Sequence, residues 1–423
     1  DQIWQLPADT FFQYIPQVVG LYQYVCTPHI PFGMIGEFTV VNGPQTYVPD
    51  DNFEAYLEAN GMGNGIANDD SVLTSNINNV SNLDVSNQNI SDLTGIEGFY
   101  SLEYLHCFSN QLNSIDVTNN PNLIELWCDN NQLTSLDVSN NTNLKMLDLT
   151  SNNLSSLDVS QNDSLIALYC YDNQLTSLDV SNNILLAGLN IANNLMSSID
   201  VSQNVYLHWF PCENNFLTTI DVSNNTNLKT FVCHNNLLTS LDVSQNNLLE
   251  VFSFSENQIN TIDVTNNPNL IELWCYDNQL TSLDLSNNTN LEVLVCWRNS
   301  LLSLDVSQNI VLRILDCSIN ELTTLDIRNG NNTNMEGFSC HTNPYLTCIS
   351  VDNHFFSAAN WTNKDPQHYF LDNCNSTSIE ESIVNKEFVK MIDLLGRDVN
   401  PEKNKPFIEI YNDGTVEKRM VIE

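Results

Sequence analysis

An aspartate returns every 21 residues through more than half of this chain. It stands at Asp116, Asp137, Asp158, Asp179, Asp200, Asp221, Asp242, Asp263, Asp284, Asp305 and Asp326, each time inside Leu-Asp-Val-Ser or a close variant. A short period held without drift means stacked coils of one unit, a solenoid in which each coil packs only on its neighbours. The 423 residues would otherwise suggest two or three domains.

One coil, Leu123 to Asn143, shows the chemistry. Its first half reads Leu123-x-x-Leu126-x-Cys128-x-x-Asn131 and its second Leu133-x-x-Leu136-x-Val138-x-x-Asn141. The Leu-x-Cys and Leu-x-Val triplets alternate in and out, so each coil is predicted to carry two short strands. In-register stacking gives a mostly β fold with two parallel sheets, about 4.8 Å per coil and about 60 Å over roughly a dozen coils. The asparagines form two ladders, Asn110 to Asn320 and Asn120 to Asn309. Asn carries donors and an acceptor and tolerates turns, so both ladders are expected to satisfy backbone groups in the buried turns. The pattern resembles bacterial leucine-rich repeats over Leu102 to Leu346, with a repeat domain at 101–346.

Nine of 12 cysteines occupy one inward column: Cys107, Cys128, Cys170, Cys212, Cys233, Cys275, Cys296, Cys317 and Cys340. Leu149, Ile191 and Phe254 fill its gaps, which marks a small buried core position. Column neighbours about 4.8 Å apart but parallel are badly placed for disulfides. A linear ladder also lacks the four converging ligands of a metal site.

The ends of a solenoid need caps. Val48-Pro49-Asp50-Asp51-Asn52-Phe53 starts a short amphipathic helix with acidic capping residues. Residues 47–100 resemble the N-terminal cap of Bacteroidetes-type repeat proteins. Leu346 to Asp352, then Asn360-Trp361-Thr362 and Cys374, resemble their C-terminal cap, here 347–375. With that resemblance goes a Cys348–Cys374 disulfide, which would place the protein in an oxidising, extracytoplasmic compartment.

Residues 1–43 differ in kind. Tyr22-Gln23-Tyr24-Val25-Cys26-Thr27-Pro28-His29, followed by Met34 and Phe38-Thr39-Val40, resembles the ligand loop of plastocyanin-like cupredoxins on a strand–loop–strand. The resemblance implies copper held by Cys26, His29 and Met34, a thiolate–imidazole–thioether set that suits copper. That family also takes a second histidine upstream, and none precedes Cys26. The segment therefore reads as the tail end of a domain, and the chain as a fragment or a processed product. At the other end, 376–423, Lys390 to Val399, Pro406 to Tyr411, Asn412-Asp413-Gly414 and a final strand from Thr415 make a small all-β ending. It resembles the C-terminal sorting domain of Bacteroidetes type IX secretion substrates. Export through that machinery to the cell surface or medium is implied.

Net charge is −38, and seven of 13 basic residues lie from Lys386 onward, so the repeats are more acidic still. Such a polyanion repels nucleic acid and anionic lipid, which excludes both as expected partners. No apolar run is long enough for a membrane span. No nucleophile–base or paired-carboxylate constellation stands out, so a non-catalytic protein is expected. His106, His208, His234 and His341 are expected on the exposed surface.

Comparison of coils separates scaffold from recognition. Around Leu-Asp-Val-Ser the outward residues scarcely vary. Stacked carboxylates repel by about 0.9 kcal/mol at 4.8 Å in water; flanking hydroxyls can donate to them, or Ca²⁺ can bridge them. Around Leu-x-Cys the outward residues vary and are often aromatic: Trp127, Tyr169, Tyr171, Trp209, Trp274, Tyr276 and Trp297. Exposed aromatics on a rigid sheet serve as anchors for protein or glycan ligands; otherwise they cover one another or a flanking loop. Two functions follow: recognition or adhesion at the cell surface through that face, or a copper protein with the repeats as stalk.

Overall fold

The computed structural model of the chain describes residues 20–25, 35–40, 43–374, 388–393, 396–401, 405–411 and 416–420. Contacts divide the chain into two units, Asp1–Asp372 and Asn373–Glu423.

The expected solenoid forms. Thirteen parallel three-residue strands run in chain order from Asn82–Asp84 to Gly337–Ser339, each paired with the strand of the next coil. Each strand follows the period-2 rule. In Glu125–Trp127 the middle leucine is buried and its neighbours are half-buried. Leu123, Leu126, Cys128, Leu133 and Val138 are fully buried, as are their counterparts coil after coil. Where Phe210, Phe231 and Phe252 replace the strand leucine, their rings stack at 5.8 Å. Phe254, in the cysteine column, joins that stack at 4.9 Å from Phe252. The nine column cysteines are free and buried.

Both asparagine ladders do what a buried turn requires. Asn131 Oδ1 accepts the Leu112 N–H at 3.0 Å, and its Nδ2 donates to the carbonyls of Cys107 and Cys128, both at 3.1 Å. Asn141 Nδ2 donates to the carbonyls of Val117 and Asn120 at 2.9 and 2.8 Å. The left-handed backbone falls on the residue before the first ladder, from Ser109 (φ 54°) through Asn130 to Thr342 (φ 57°).

The second sheet is shorter than the sequence predicts. The Leu-Asp-Val-Ser arm pairs as strands only in Ser303–Asp305 and Thr324–Asp326, continued by Cys348–Ser350 and Tyr369–Leu371. In earlier coils the arm starts with one inter-coil bond, Gln132 N–H to the Leu112 carbonyl at 2.8 Å. Further along, Asp137 takes the Ser139 N–H at 2.9 Å. The same local bond is present where the arm does pair, with the Ser307 N–H on Asp305 at 2.9 Å. The 21-residue step breaks at both ends of this sheet: Asn82 pairs with Tyr104, and Ile314 pairs with Gly337 rather than with Met335, where the surplus forms the single turn Asn332–Asn334.

Both ends are closed. Helix α1, Asp51–Ala59, buries Phe53, Glu54 and Leu57. Asp50 caps it by accepting from the Asn52 and Phe53 amides at 3.0 Å. At the far end Trp361, 5% exposed, stacks on Phe338 at 4.4 Å. Cys348 and Cys374 are each disulfide-bonded. The C-terminal unit holds an antiparallel sheet of Phe388–Ile392, Pro406–Tyr411 and Val416–Met420. The turn expected at Asn412–Gly414 lies outside the described residues. No helix among the described residues is long and apolar enough to cross a membrane.

Candidate functional site: the strand face

The outward residues of the long sheet gather into three aromatic clusters, because parallel in-register strands place equivalent side chains in columns. In the first, His106 stacks on Trp127 with ring centroids 4.2 Å apart, and Glu125 lies 3.9 Å from the imidazole. The His106 Nε2 and Trp127 Nε1 atoms are buried without a hydrogen-bond partner.

The second cluster spans three coils. Tyr169 meets Trp209 edge-to-face at 5.5 Å, although the strand Gly188–Asn190 lies between theirs. Gly188 makes this reach available: a Cβ there would touch the Tyr169 hydroxyl and the Trp209 ring at 3.6 and 3.7 Å. A longer side chain would wedge the pair apart. Asp148 borders this cluster, paired with Tyr169 in the next strand, and Glu213 follows the strand that carries Trp209. Burial raises the carboxyl pKa of each above its ordinary value, and Glu213 Oε2 is buried without a partner. Burial first, then the Asp148 charge, also raises the Tyr169 phenol.

In the third cluster Tyr276 stacks on Trp297 at 4.8 Å with planes only 6° apart. Trp274 donates its indole N–H to Glu272 at 3.0 Å, and Arg298 pairs with Asp277 at 3.1 Å. Burial raises the Tyr276 phenol as well, with the Glu256 charge second.

The seven aromatics expected on this face are all there, and each is half-buried rather than exposed. Four of them shield one another in pairs, Tyr169 with Trp209 and Tyr276 with Trp297. Of the four repeat histidines expected at the surface, His208 is exposed, whereas His106, His234 and His341 are half-buried. Burial lowers the His234 pKa, against the Glu256 charge. Gly188 and Asp148 were not singled out from the sequence. Gly188 carried a signal, since it replaces a side chain at a strand position where neighbouring coils have Ala167 and Trp209.

The opposite arm is uniform. Asp116 accepts both the N–H and the hydroxyl of Thr118, at 3.0 and 2.6 Å, and Asp263 treats Thr265 alike. Ser139 and Ser160, through the hydroxyl first and the amide second, hold the Asp137 and Asp158 carboxyls below their ordinary pKa. The hydroxyl account of the stacked carboxylates has its geometry at Asp116 and Asp263. Cys26, His29 and Met34 lie outside the described residues. The backbone on either side pairs as an antiparallel hairpin, Gly20–Val25 with Ile35–Val40.

No protein-family model matches the sequence, and no curated protein matches it. Solved structures do. The chain is similar to the functional domain of InlJ from Listeria monocytogenes, which includes a cysteine ladder. Identity is 26%, 90% of this chain and 99% of that one are covered, and the TM-score is 0.65. The fold is a leucine-rich repeat solenoid. Internalin InlF of Listeria monocytogenes is similar at 21% identity, over 78% of this chain and 96% of that one, with a TM-score of 0.63. A leucine-rich repeat protein of Leptospira interrogans is similar at 25% identity, over 70% and 85%, with a TM-score of 0.55.

Proposed function

We propose that this leucine-rich repeat protein is a non-catalytic recognition module that binds a protein ligand on its strand face. The carrying observation is the contrast between two faces of one rigid array. The arm repeats the same Asp–Ser/Thr pairs, while the strand face builds three different aromatic clusters bordered by carboxylates. Half-buried aromatics with unsatisfied indole, imidazole and carboxylate atoms gain most when a partner completes their desolvation. The carboxylates favour a ligand surface bearing Lys or Arg, in keeping with a net charge of −38. The disulfide-bonded Cys348 and Cys374 support export to an oxidising compartment. The tail's resemblance supports type IX secretion as the route and the outer surface as the place of work.

The test is a binding screen of the full chain against arrays of surface proteins and of glycans, followed by Trp127→Ala with Trp274→Ala. Two buried anchors at about 2 kcal/mol each predict a loss of roughly three orders of magnitude in affinity. Binding that survives this pair but fails in Asp137→Ala would move the site to the other arm. Hits confined to glycans would replace the protein ligand with a carbohydrate.

The hairpin flanking Cys26 to Met34 supports a second reading, a copper-binding head on the parent protein with the solenoid as stalk. An intense thiolate-to-copper absorption band, lost in Cys26→Ser, is its test.

A further inference from the structure

The N-terminal cap contains a group that ligand recognition does not use. Glu54 sits in the first turns of α1 and is 1% exposed. Its Oε1 accepts the Asp69 N–H at 3.1 Å, while Oε2 is buried with no hydrogen-bond partner. One carboxylate oxygen from each of Asp51, Glu54 and Asp70 lies within 4.8 Å of the other two. Burial raises the Glu54 carboxyl pKa and the Asp69 charge adds to this, against the opposing amides of Asp69 and Asp70.

Acidic residues in a first helical turn have an ordinary explanation, because the helix N-terminus favours anions. That accounts for Asp51. It does not account for a buried, unpartnered oxygen on Glu54, nor for a third carboxylate brought alongside from a separate loop. Asp50, a few residues away, shows what a carboxylate with a purely capping role looks like here. One of its oxygens accepts from Asn52 and Phe53, and the other from the Ser91 amide, the Ser91 hydroxyl and the Asp92 amide. Glu54 has no such saturation.

We propose that Asp51, Glu54 and Asp70 form a Ca²⁺ site that ties α1 to the loop at residues 68–70. Calcium takes oxygens at about 2.3–2.6 Å, so two ligands of one ion stand up to about 5 Å apart. Magnesium, at about 2.0–2.1 Å, allows only about 4 Å. The observed grouping falls within calcium's reach without rearrangement. Exposed Asp51 and Asp70 leave one side open for the waters that complete the shell. The loop is set for its part: Asn68 and Asp70 hold positive φ, and the Asp70 carbonyl accepts the Val48 N–H at 2.9 Å. Because a solenoid depends on its caps, an ion here stabilises the array from its end, by an amount set by its free concentration.

The experiment is calorimetric titration of the chelator-stripped full chain with CaCl₂ and, separately, MgCl₂. It compares wild type, Glu54→Gln, Asp70→Asn and the arm variant Asp263→Asn, with melting temperatures read alongside. Asn tolerates positive φ, so Asp70→Asn keeps the loop and carries the test should Glu54→Gln fail to fold. Expected are one saturable Ca²⁺ site in wild type and Asp263→Asn, at least tenfold weaker binding in both cap variants, and a calcium-dependent rise in melting temperature only where the site is intact. Absence of saturable binding in wild type overturns the proposal. So does unchanged affinity in Asp70→Asn, which would put the ion on the aspartate arm. Equal affinity for Mg²⁺ overturns the choice of calcium.

Discussion

The two asparagine ladders are equally buried yet predict unequal costs of removal. Asn215 is 5% exposed and Asn225 is 0% exposed. Asn215 Oδ1 accepts the Met196 N–H at 3.0 Å, and its Nδ2 donates to the Ile191 and Cys212 carbonyls at 2.9 and 3.2 Å. In Asn215→Ala those carbonyls keep Asn194 and Asn236 as donors. The Met196 N–H has no substitute and is stranded in the core. Asn225 Nδ2 donates to the Val201 and Asn204 carbonyls, at 3.0 and 2.9 Å. Both carbonyls also accept backbone amides, from Asn204 and Leu207, each at 3.0 Å. Its Oδ1 has no partner to lose. A stranded buried donor costs about 1–3 kcal/mol, while a redundant bond is worth about 1. Asn215→Ala should therefore cost about 3 kcal/mol and Asn225→Ala about 1. With a urea slope of about 3 kcal/mol/M, the difference is about 0.7 M in midpoint. Urea unfolding followed by circular dichroism measures it, with the slope compared between variants to check that cooperativity is kept. If Asn225→Ala costs as much as Asn215→Ala, the redundancy argument is wrong.

Burial pushes the Cys170 and Cys340 thiols up to about 12 and the Cys212, Cys233, Cys275, Cys296 and Cys317 thiols upward too. All nine column cysteines are buried, so they should resist iodoacetamide at pH 8 in native protein and all react in denaturant, as read by peptide mass spectrometry. The Asp137 and Asp158 carboxyls are held below the unfolded value of about 4. Their contribution is thus present above pH 4 and lost as pH falls through the folded values. Thermal melts from pH 7 to 3 should show this loss, and Asp137→Asn with Asp158→Asn should flatten it. Ile319 holds φ 54°, a region costly for a β-branched residue. Ile319→Asn should stabilise by about 1 kcal/mol, read as a higher urea midpoint. Gly188→Leu should separate Tyr169 from Trp209, and a changed Trp209 emission spectrum would report it.

The sequence made the long sheet legible because its three constraints are periodic: Leu126 and its equivalents inside, Cys128 filling the small core column, Asn131 closing the turn. The second sheet was not legible in the same way. Leu-Asp-Val-Ser alternates as a strand does in every coil, yet only the coils from Ser303 onward pair there as strands, a difference that near-identical repeats do not register. The seven aromatics were found by their variability between coils. That they cover one another is the alternative reading of the same pattern; which rings meet was not legible, because Tyr169 touches Trp209 only by crossing a coil whose outward position is glycine. The cap carboxylates are three and sixteen residues from one another along the chain, and only folding of the 60–70 loop beside α1 brings them together.

Register has a consequence for what this face can distinguish. Every outward side chain stands a whole number of rungs from every other, since each strand pairs with the next without slippage through the repeats. His106–Trp127, Tyr169–Trp209 and Tyr276–Trp297 are therefore marks on a ruler graduated at about 4.8 Å. Gain or loss of a complete 21-residue coil would move the marks apart or together by one graduation and leave each mark intact. A partner gripping two clusters at once would be selected by the distance between its contact points as well as by their chemistry, and a spacing wrong by one rung would disengage one grip entirely.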